Sequence, residues 1–166
     1  MTQIDIEAHE GYLVVTSPYH PQFPSGARRL GGRWDAATRT WRFDPRDEHR
    51  VRDLCSRIYG TDGSPAAAEL VTLRVRLDRG SVLRAACGSI FLAGRCVARA
   101  YGRDSGARLG PGVVVIDGSS PRSGGSMKNW VTIWAGPATF EVRDVPRQIA
   151  ETCVAERDGV EIVGAD

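Results

Sequence analysis

The sequence predicts an α+β protein: a small N-terminal domain of a β-hairpin and helices, followed by a mostly-β barrel or sandwich domain. Apolar residues recur at helical spacing mainly in the first part of the chain, whereas alternating apolar and polar residues with glycine turns dominate the second. Turn residues and small residues lie between these parts. We therefore expect an αβ domain over residues 1–60, a linker over 61–69 and a mostly-β domain over 70–166.

The first domain opens with two strand candidates, residues 3–8 and 12–17. Apolar side chains then recur at spacings of four and three, which is the pattern of one helical face. We expect this helix to begin at Pro21 and to end at Gly31, because proline favours the first turn of a helix and glycine its end. The apolar face consists of Phe23, Ala27 and Leu30.

A second helix is predicted between Asp44 and Gly60. Asp44 is a favourable N-cap, Pro45 suits the first turn, and Gly60 ends the pattern. The residues along its apolar face are Val51, Leu54, Cys55 and Ile58.

The segment GRWDAATRTWRF, residues 32–43, lies between the two helices and is predicted to form a β-hairpin with a turn over residues 36–39. The facing pairs are then Asp35 with Thr40, Trp34 with Trp41, and Arg33 with Arg42. Strand alternation places Trp34, Trp41 and Phe43 on one face, Arg33, Asp35 and Arg42 on the other, and Arg39 at the tip. Since two amphipathic helices flank the hairpin, we expect both tryptophans to lie mainly in the core.

The pattern YHPQFPSGARRLGGRWDAATRTWRFDPRDEHRVRDLC, within residues 18–60, resembles the HARP domain found beside the motor of annealing helicases. The resemblance implies recognition of branched DNA or of single-to-double-strand junctions. It places the contact on Arg28, Arg29, Arg33, Arg39 and Arg42. The chain has no GxxxxGK[ST] loop to hold a nucleotide, so the resemblance implies binding without unwinding.

The second domain begins with a clean strand alternation over residues 71–77, with the four apolar side chains directed inward. Further predicted strands are 90–101, 113–116, 130–134 and 139–143, with a final hairpin around Asp158 and Gly159. Because residues 113–116 are all apolar, we expect that strand to be covered on both faces. A short helix capped by Asp144 is expected before the last hairpin.

Basic residues are concentrated in the middle of the chain, although the net charge is only +2. Residues 70–130 hold ten basic and three acidic residues, whereas the segment from Glu141 onward holds three basic and seven acidic residues. Three interpretations remain open: a surface that binds polyanions, an acidic tail that folds back on the basic region, or an arginine bias of the genome.

Two glycine-rich segments of the second domain, GRDSGARLGPG and DGSSPRSGGSMKNW, are predicted to be loops. Their glycines and hydroxyls suit contact with phosphate, and Arg103, Arg108, Arg122 and Lys128 supply positive charge. Arg122, Lys128 and Asn129 of the second loop are the candidates for contact with nucleic acid or with a protein partner. The alternative is an ordinary exposed loop between strands, which would have the same composition.

The sequence offers no catalytic set, metal cluster or cofactor fingerprint. All three histidines, His9, His20 and His49, fall in the first domain, so an enzyme would need a pocket between the domains. The four cysteines are widely scattered and are expected to be reduced core residues.

The compositional pattern favours a cytoplasmic protein with no membrane segment, since no apolar run reaches about 18 residues. We expect a non-enzymatic accessory protein that binds DNA or RNA, with branched or single-stranded DNA as the preferred form. The alternative is an inhibitor or adaptor, encoded by a phage or plasmid, that binds a host protein or nucleoprotein complex.

Overall fold

The computed structural model describes residues 4–64 and 69–164. The chain divides into two compact units, Met1–Glu69 and Leu70–Asp166. Helices and antiparallel strands occur in both, so the molecule is of the α+β type, with strands in the majority. Residues 65–68, in the middle of the expected linker, lie outside the described residues.

The first unit is a four-stranded antiparallel sheet with two helices packed on one face. The strands are β1 (Asp5–His9), β2 (Tyr12–Thr16), β3 (Arg33–Asp35) and β4 (Thr40–Phe43), in the order β1-β2-β4-β3. The helices are α1 (Phe23–Arg29) and α2 (Glu48–Tyr59). Both predicted N-terminal strands are therefore present. Gln3, where the first was expected to begin, is not among the described residues.

The start of α1 differs from the prediction. The helix begins at Phe23, two residues after Pro21, and Pro24 is the proline of its first turn. Pro21 belongs to a preceding turn that the Phe23 amide closes by donating to the His20 carbonyl, 3.1 Å away. A proline near a helix start can occupy this turn as readily as the helix itself.

Both ends of the second predicted helix are close to where they were expected. Asp44 caps a single 3₁₀ turn over Pro45–Asp47, which leads into α2, and its carboxylate accepts a hydrogen bond from the Arg46 amide at 2.9 Å. Hydrogen bonds from the Arg46 side chain and amide lower the pKa of Asp44 to about 2. Gly60 ends α2 in the left-handed conformation, with φ of 74°. The predicted apolar face is buried: Val51, Leu54, Cys55 and Ile58.

The hairpin register is confirmed pair by pair: Arg33 lies opposite Arg42, Trp34 opposite Trp41, and Asp35 opposite Thr40. The prediction that both tryptophans are core residues is wrong for Trp34. Trp41 is 5% exposed, whereas Trp34 is 49% exposed. The reason is sheet position, because β4 lies between two strands and β3 is the edge strand.

The second unit contains ten strands and one helix among its described residues. The strands are β5 (Leu70–Leu77), β6 (Val82–Ala86), β7 (Ser89–Leu92), β8 (Arg95–Ala100), β9 (Ala107–Leu109), β10 (Val113–Gly118), β11 (Arg122–Gly125), β12 (Trp130–Ala135), β13 (Ala138–Pro146) and β14 (Val160–Val163). The helix is α3 (Arg147–Glu156). The strands form three open antiparallel sheets, in the orders β10-β13-β5-β14, β11-β12-β6 and β7-β8-β9.

These three sheets contribute to one core, in which Trp134 and Phe140 stack with ring centroids 4.0 Å apart. The predicted alternation of β5 is confirmed, since Val71, Leu73, Val75 and Leu77 are all buried in this core.

Several local predictions for the second unit are wrong. The expected strand 90–101 is a hairpin of β7 and β8, because Ala93 and Gly94 both adopt positive φ and reverse the chain. The strand expected to be covered on both faces is β10, an edge strand on which Ile116 is 52% exposed. Apolar composition alone does not distinguish an edge strand from a buried one.

The C-terminal predictions also need correction. The turn at Asp158 and Gly159 joins α3 to β14 and does not form a hairpin, because β14 pairs with β5. Asp144 does not cap α3; it lies at an irregularity in β13 with φ of 58°, and Pro146 holds the cap position.

The pairing of β14 with β5 bears on the uneven charge of the chain. Glu161 lies opposite Arg74 in the ladder and contacts Arg76 at 2.9 Å, while Arg74 also contacts Glu141 at 2.8 Å. The acidic tail therefore folds back on part of the basic region, as one of the three interpretations proposed. The two arginines of β5 are neutralised within the fold.

All four cysteines are free. Cys55 and Cys153 are buried, as predicted, whereas Cys96 is only partly buried and Cys87, which follows β6 in a turn with φ of 46°, is exposed. Burial raises the pKa of the Cys55 thiol to about 12. None of the helices in the described residues is long and apolar enough to span a membrane.

Candidate nucleic-acid interface

The edge of the first sheet is positioned by the close approach of α1 and β3. The Gly32 amide donates to the Ala27 carbonyl at 2.9 Å. A β-carbon at residue 32 would lie 2.5 Å from the Phe43 ring and 2.8 Å from that carbonyl, so only glycine allows this connection. The exposed edge strand therefore begins directly beside the end of the helix.

Trp34, Trp41 and Arg28 form an aromatic and cationic cluster at this edge. The Trp34 ring lies 5.5 Å from the Trp41 ring, and the Arg28 guanidinium lies 5.7 Å from the centre of the same Trp41 ring. Trp41 is buried, whereas Arg28 and Trp34 are exposed. One buried ring thus supports an arginine and a tryptophan that both face solvent.

The five arginines implicated by the HARP resemblance are divided between the two sides of the sheet and its tip. Arg28 and Arg29 end α1, which carries no acidic residue, and Arg39 occupies the hairpin turn with φ of 56°. Arg33 and Arg42 face each other on the side opposite Trp34. Within the described residues, Arg28, Arg29, Arg33 and Arg39 form no ion pair with a carboxylate.

Arg42 differs from the other four because its charge is matched. Its guanidinium contacts the Asp35 carboxylate at 2.6 Å and lies over the Tyr12 ring, 5.1 Å from its centre. Asp35 also accepts a hydrogen bond from the Ala37 amide, which lowers the pKa of its carboxyl more than Arg42 does. Asp35 therefore shapes the turn and neutralises Arg42.

The solvent-facing side of the sheet is balanced in charge. His9 stacks on Tyr12 at 5.3 Å and lies 3.4 Å from Glu7, so this side carries both acidic and basic groups. Among the described residues, neither Arg28 nor Arg29 has a carboxylate partner on the helix side of the edge, beside Trp34, whereas on the opposite side Arg42 is paired with Asp35 and only Arg33 is unpaired. The predicted arginine face around Arg33 and Arg42 is thus the weaker site for a polyanion.

The three candidates in the second unit lie on a hairpin. The segment around them was predicted to be a loop, but Arg122 belongs to β11, and residues 126–129 form a tight turn into β12. The Asn129 amide donates to the Ser126 hydroxyl at 3.1 Å, which closes the turn. Hydrogen-bonded pairing with β12 overrides the glycine content of the segment.

Arg122 and the turn residues Lys128 and Asn129 therefore lie at opposite ends of β11. Arg122 sits across from Ile133, whose other neighbour is Arg84, while Lys128 is exposed in the turn. The structure brings Lys128 and Asn129 together and separates both from Arg122.

No protein-family model, curated protein or solved structure matches this chain. The candidate interface therefore rests on the geometry of its own residues. The feature that sequence reasoning missed is the exposure of Trp34. The edge position of β3 depends on strand order, which the hairpin sequence does not encode.

The histidines are dispersed over the first unit. His20 is 8% exposed and packs edge-on against Tyr59, with ring centroids 5.9 Å apart, while His9 and His49 lie in other parts of the surface. The described residues contain no group of three or more side chains able to hold a metal ion.

We expect the first unit to lose stability as the pH falls from about 7.5 to about 5, with His20 contributing. Burial lowers the pKa of His20 from 6.5, so the fold favours the neutral imidazole. The stability that neutral His20 contributes is complete above pH 6.5 and declines as the pH falls toward the lowered pKa of the folded state. For His20→Asn, the urea unfolding midpoints at the two pH values should differ less than they do for the wild type. The exposed control His49→Asn should keep the wild-type difference, and equal behaviour of the two variants would contradict this assignment.

Proposed function

We propose that the first unit binds single-stranded nucleic acid along the edge formed by Trp34 and the end of α1. The observation that carries the proposal is the 49% exposure of Trp34 beside arginines that have no carboxylate partner. Proteins that bind single strands combine aromatic rings, on which bases stack, with positive charge for the phosphates.

The arrangement of Trp34, Trp41 and Arg28 suits contact with one nucleotide. A base stacked on the exposed part of Trp34 would extend the existing Trp34 and Trp41 pair, and Arg28 is held against the other ring of that pair. Arg29 follows Arg28 on the same helix end, while Arg33 lies on the opposite face of the hairpin and Arg39 in its turn. The resemblance of residues 18–60 to HARP domains, which implies recognition of branched DNA or of single-to-double-strand junctions, also supports a nucleic-acid-binding function.

The role of Trp34 is tested by anisotropy of a labelled oligothymidylate of about 20 nucleotides at low salt. Trp34→Ala should weaken binding by roughly 1–3 kcal/mol, which is the value of one base stacked on an aromatic ring. Tyr19→Ala is the matched control, since Tyr19 is an exposed aromatic residue of the same unit. Binding of Trp34→Ala at wild-type strength, or no complex of the wild type with any DNA or RNA, would refute the proposal.

The positive charge is tested by the same titration at several salt concentrations. Arg28→Gln with Arg29→Gln should reduce the salt dependence, by about 0.7 in the logarithmic slope for each phosphate that the variant no longer binds. Arg57→Gln removes an exposed charge from α2 and should leave the slope unchanged.

A protein partner is the second candidate, because exposed tryptophan and arginine are also frequent at the centres of protein interfaces. An inhibitor or adaptor of a host nucleoprotein complex would use the same residues. Affinity capture with nuclease treatment separates the two functions. A stoichiometric protein that is retained by the wild type and absent with Trp34→Ala favours the protein partner.

A further inference from the structure

A second cationic and aromatic cluster lies in the other unit, on the sheet β7-β8-β9. Arg99 on β8 and Arg108 on β9 are directly opposite each other, and both are exposed. Opposite residues of antiparallel strands project from the same face, so the two guanidinium groups share one surface. Like charges in this arrangement destabilise a sheet unless something neutralises them.

Some arginines on other strands do have carboxylate partners. Arg42, which faces Arg33 across the first sheet, contacts Asp35 at 2.6 Å. Arg74 on β5 contacts Glu141 at 2.8 Å. Within the described residues, Arg99 and Arg108 form no ion pair and no hydrogen bond through their guanidinium groups.

An exposed aromatic ring completes this cluster. The Arg99 guanidinium lies over the Tyr101 ring, 4.7 Å from its centre, and Tyr101 remains 61% exposed. The guanidinium is thereby oriented against the ring, which leaves its edge available to an anion.

The turn that carries Tyr101 is held in place by hydrogen bonds. The Tyr101 amide donates to the Ser105 hydroxyl at 2.9 Å. The Ser123 hydroxyl on β11 donates to the Arg103 carbonyl at 2.7 Å and accepts from the Gly106 amide at 3.0 Å. The ring is therefore presented by a braced turn beside the two arginines.

We propose that Arg99, Arg108 and Tyr101 form a second nucleic-acid contact, in which the two arginines bind a backbone phosphate and Tyr101 stacks on the adjacent base. A guanidinium group can donate two hydrogen bonds to the oxygens of a phosphate, and an exposed ring accepts a base of any sequence. This site lies in a different unit from Trp34, so it does not depend on the function proposed for that unit.

The test uses the full chain, an oligothymidylate of about 20 nucleotides and the double variant Arg99→Gln with Arg108→Gln. Its affinity should fall at least about tenfold, with a logarithmic salt slope smaller by about 0.7 for each phosphate that is no longer bound. The control is Arg79→Gln with Arg157→Gln, which removes two exposed charges of the same unit. Equal affinity of the two double variants would overturn the proposal.

Thermal unfolding distinguishes a binding role of the two arginines from a purely structural role, because the two roles predict opposite shifts of the unfolding temperature. Because neutralising either arginine relieves like-charge repulsion, Arg108→Gln should unfold at the same temperature as the wild type or higher while binding more weakly. A lower unfolding temperature together with normal binding would show that the pair is structural. The single variant keeps the contact between Arg99 and Tyr101, so it also serves if the double variant does not fold.

The variant Tyr101→Leu tests whether Tyr101 stacks on a base, as distinct from the attraction of the two arginines to phosphate. This variant should bind the oligothymidylate roughly fivefold or more weakly and bind inorganic polyphosphate, which has no bases, as the wild type does. Equal binding of both probes by Tyr101→Leu and the wild type would overturn the stacking contact. If Trp34→Ala binds as the wild type does but Arg99→Gln with Arg108→Gln binds more weakly, the function proposed for the first unit fails and this inference stands. If Trp34→Ala binds more weakly but the double arginine variant binds as the wild type does, only this inference is overturned.

Discussion

Trp41→Ala is expected to destabilise the first unit by about 3–5 kcal/mol, the usual cost of removing a large buried aromatic side chain. Trp41 is 5% exposed and contacts the rings of Phe23, at 6.1 Å, and Trp34, at 5.5 Å. Its removal leaves a cavity between the sheet and α1. The measurement is labelling of Cys55 in increasing urea, followed by peptide mass spectrometry.

Cys55 is a suitable probe because it is fully buried in the same core, and burial raises its pKa to about 12. Its thiol should react only when the unit opens. The control is Trp34→Ala, which removes the same side chain from the facing position and should shift the transition much less. If the two variants are equally destabilised, the greater burial of Trp41 does not contribute to the stability of the unit.

Trp134→Ala is expected to cost the second unit a similar amount, about 3–5 kcal/mol. Trp134 is fully buried, stacks on Phe140, and donates from its indole nitrogen to the Ser119 carbonyl at 2.9 Å. Alanine removes both the packing and the hydrogen bond. Cys153, which lies in the same core, reports the opening of this unit when it is labelled.

Trp130→Ala is the control for Trp134→Ala, since Trp130 begins the same strand and is only partly buried. We expect Trp134→Ala to accelerate the labelling of Cys153 more than that of Cys55, and Trp41→Ala to do the reverse. A uniform effect on both thiols would contradict two separate cores.

The hairpin shows how far local reasoning extends. Its register follows from a four-residue turn and from strand alternation, and both are properties of neighbouring residues. The burial of the α2 face follows in the same way from helical spacing. The three pairs and the four buried positions were therefore predictable before the structure was known.

The candidate sites were less predictable. Arg42 was placed on the correct face, but its contact with Asp35 depends on rotamers within the folded sheet. Arg122 and Lys128 were predicted to share one loop, whereas pairing with β12 puts them at opposite ends of a strand. Arg99 and Tyr101 were missed as binding residues, because only the pairing of β8 with β9 places Arg99 opposite Arg108.

Sequence patterns alone thus established the α+β character, the hairpin register, the face of α2 and the inward side of β5, since each depends on contacts between residues close in the chain. The exposure of Trp34, the edge position of β10 and the ion pairs of Glu161 with Arg74 and Arg76 came only from the folded molecule. Each depends on which strand lies beside which. Strand order is set by packing of the whole core, and a local pattern of residues carries little information about it.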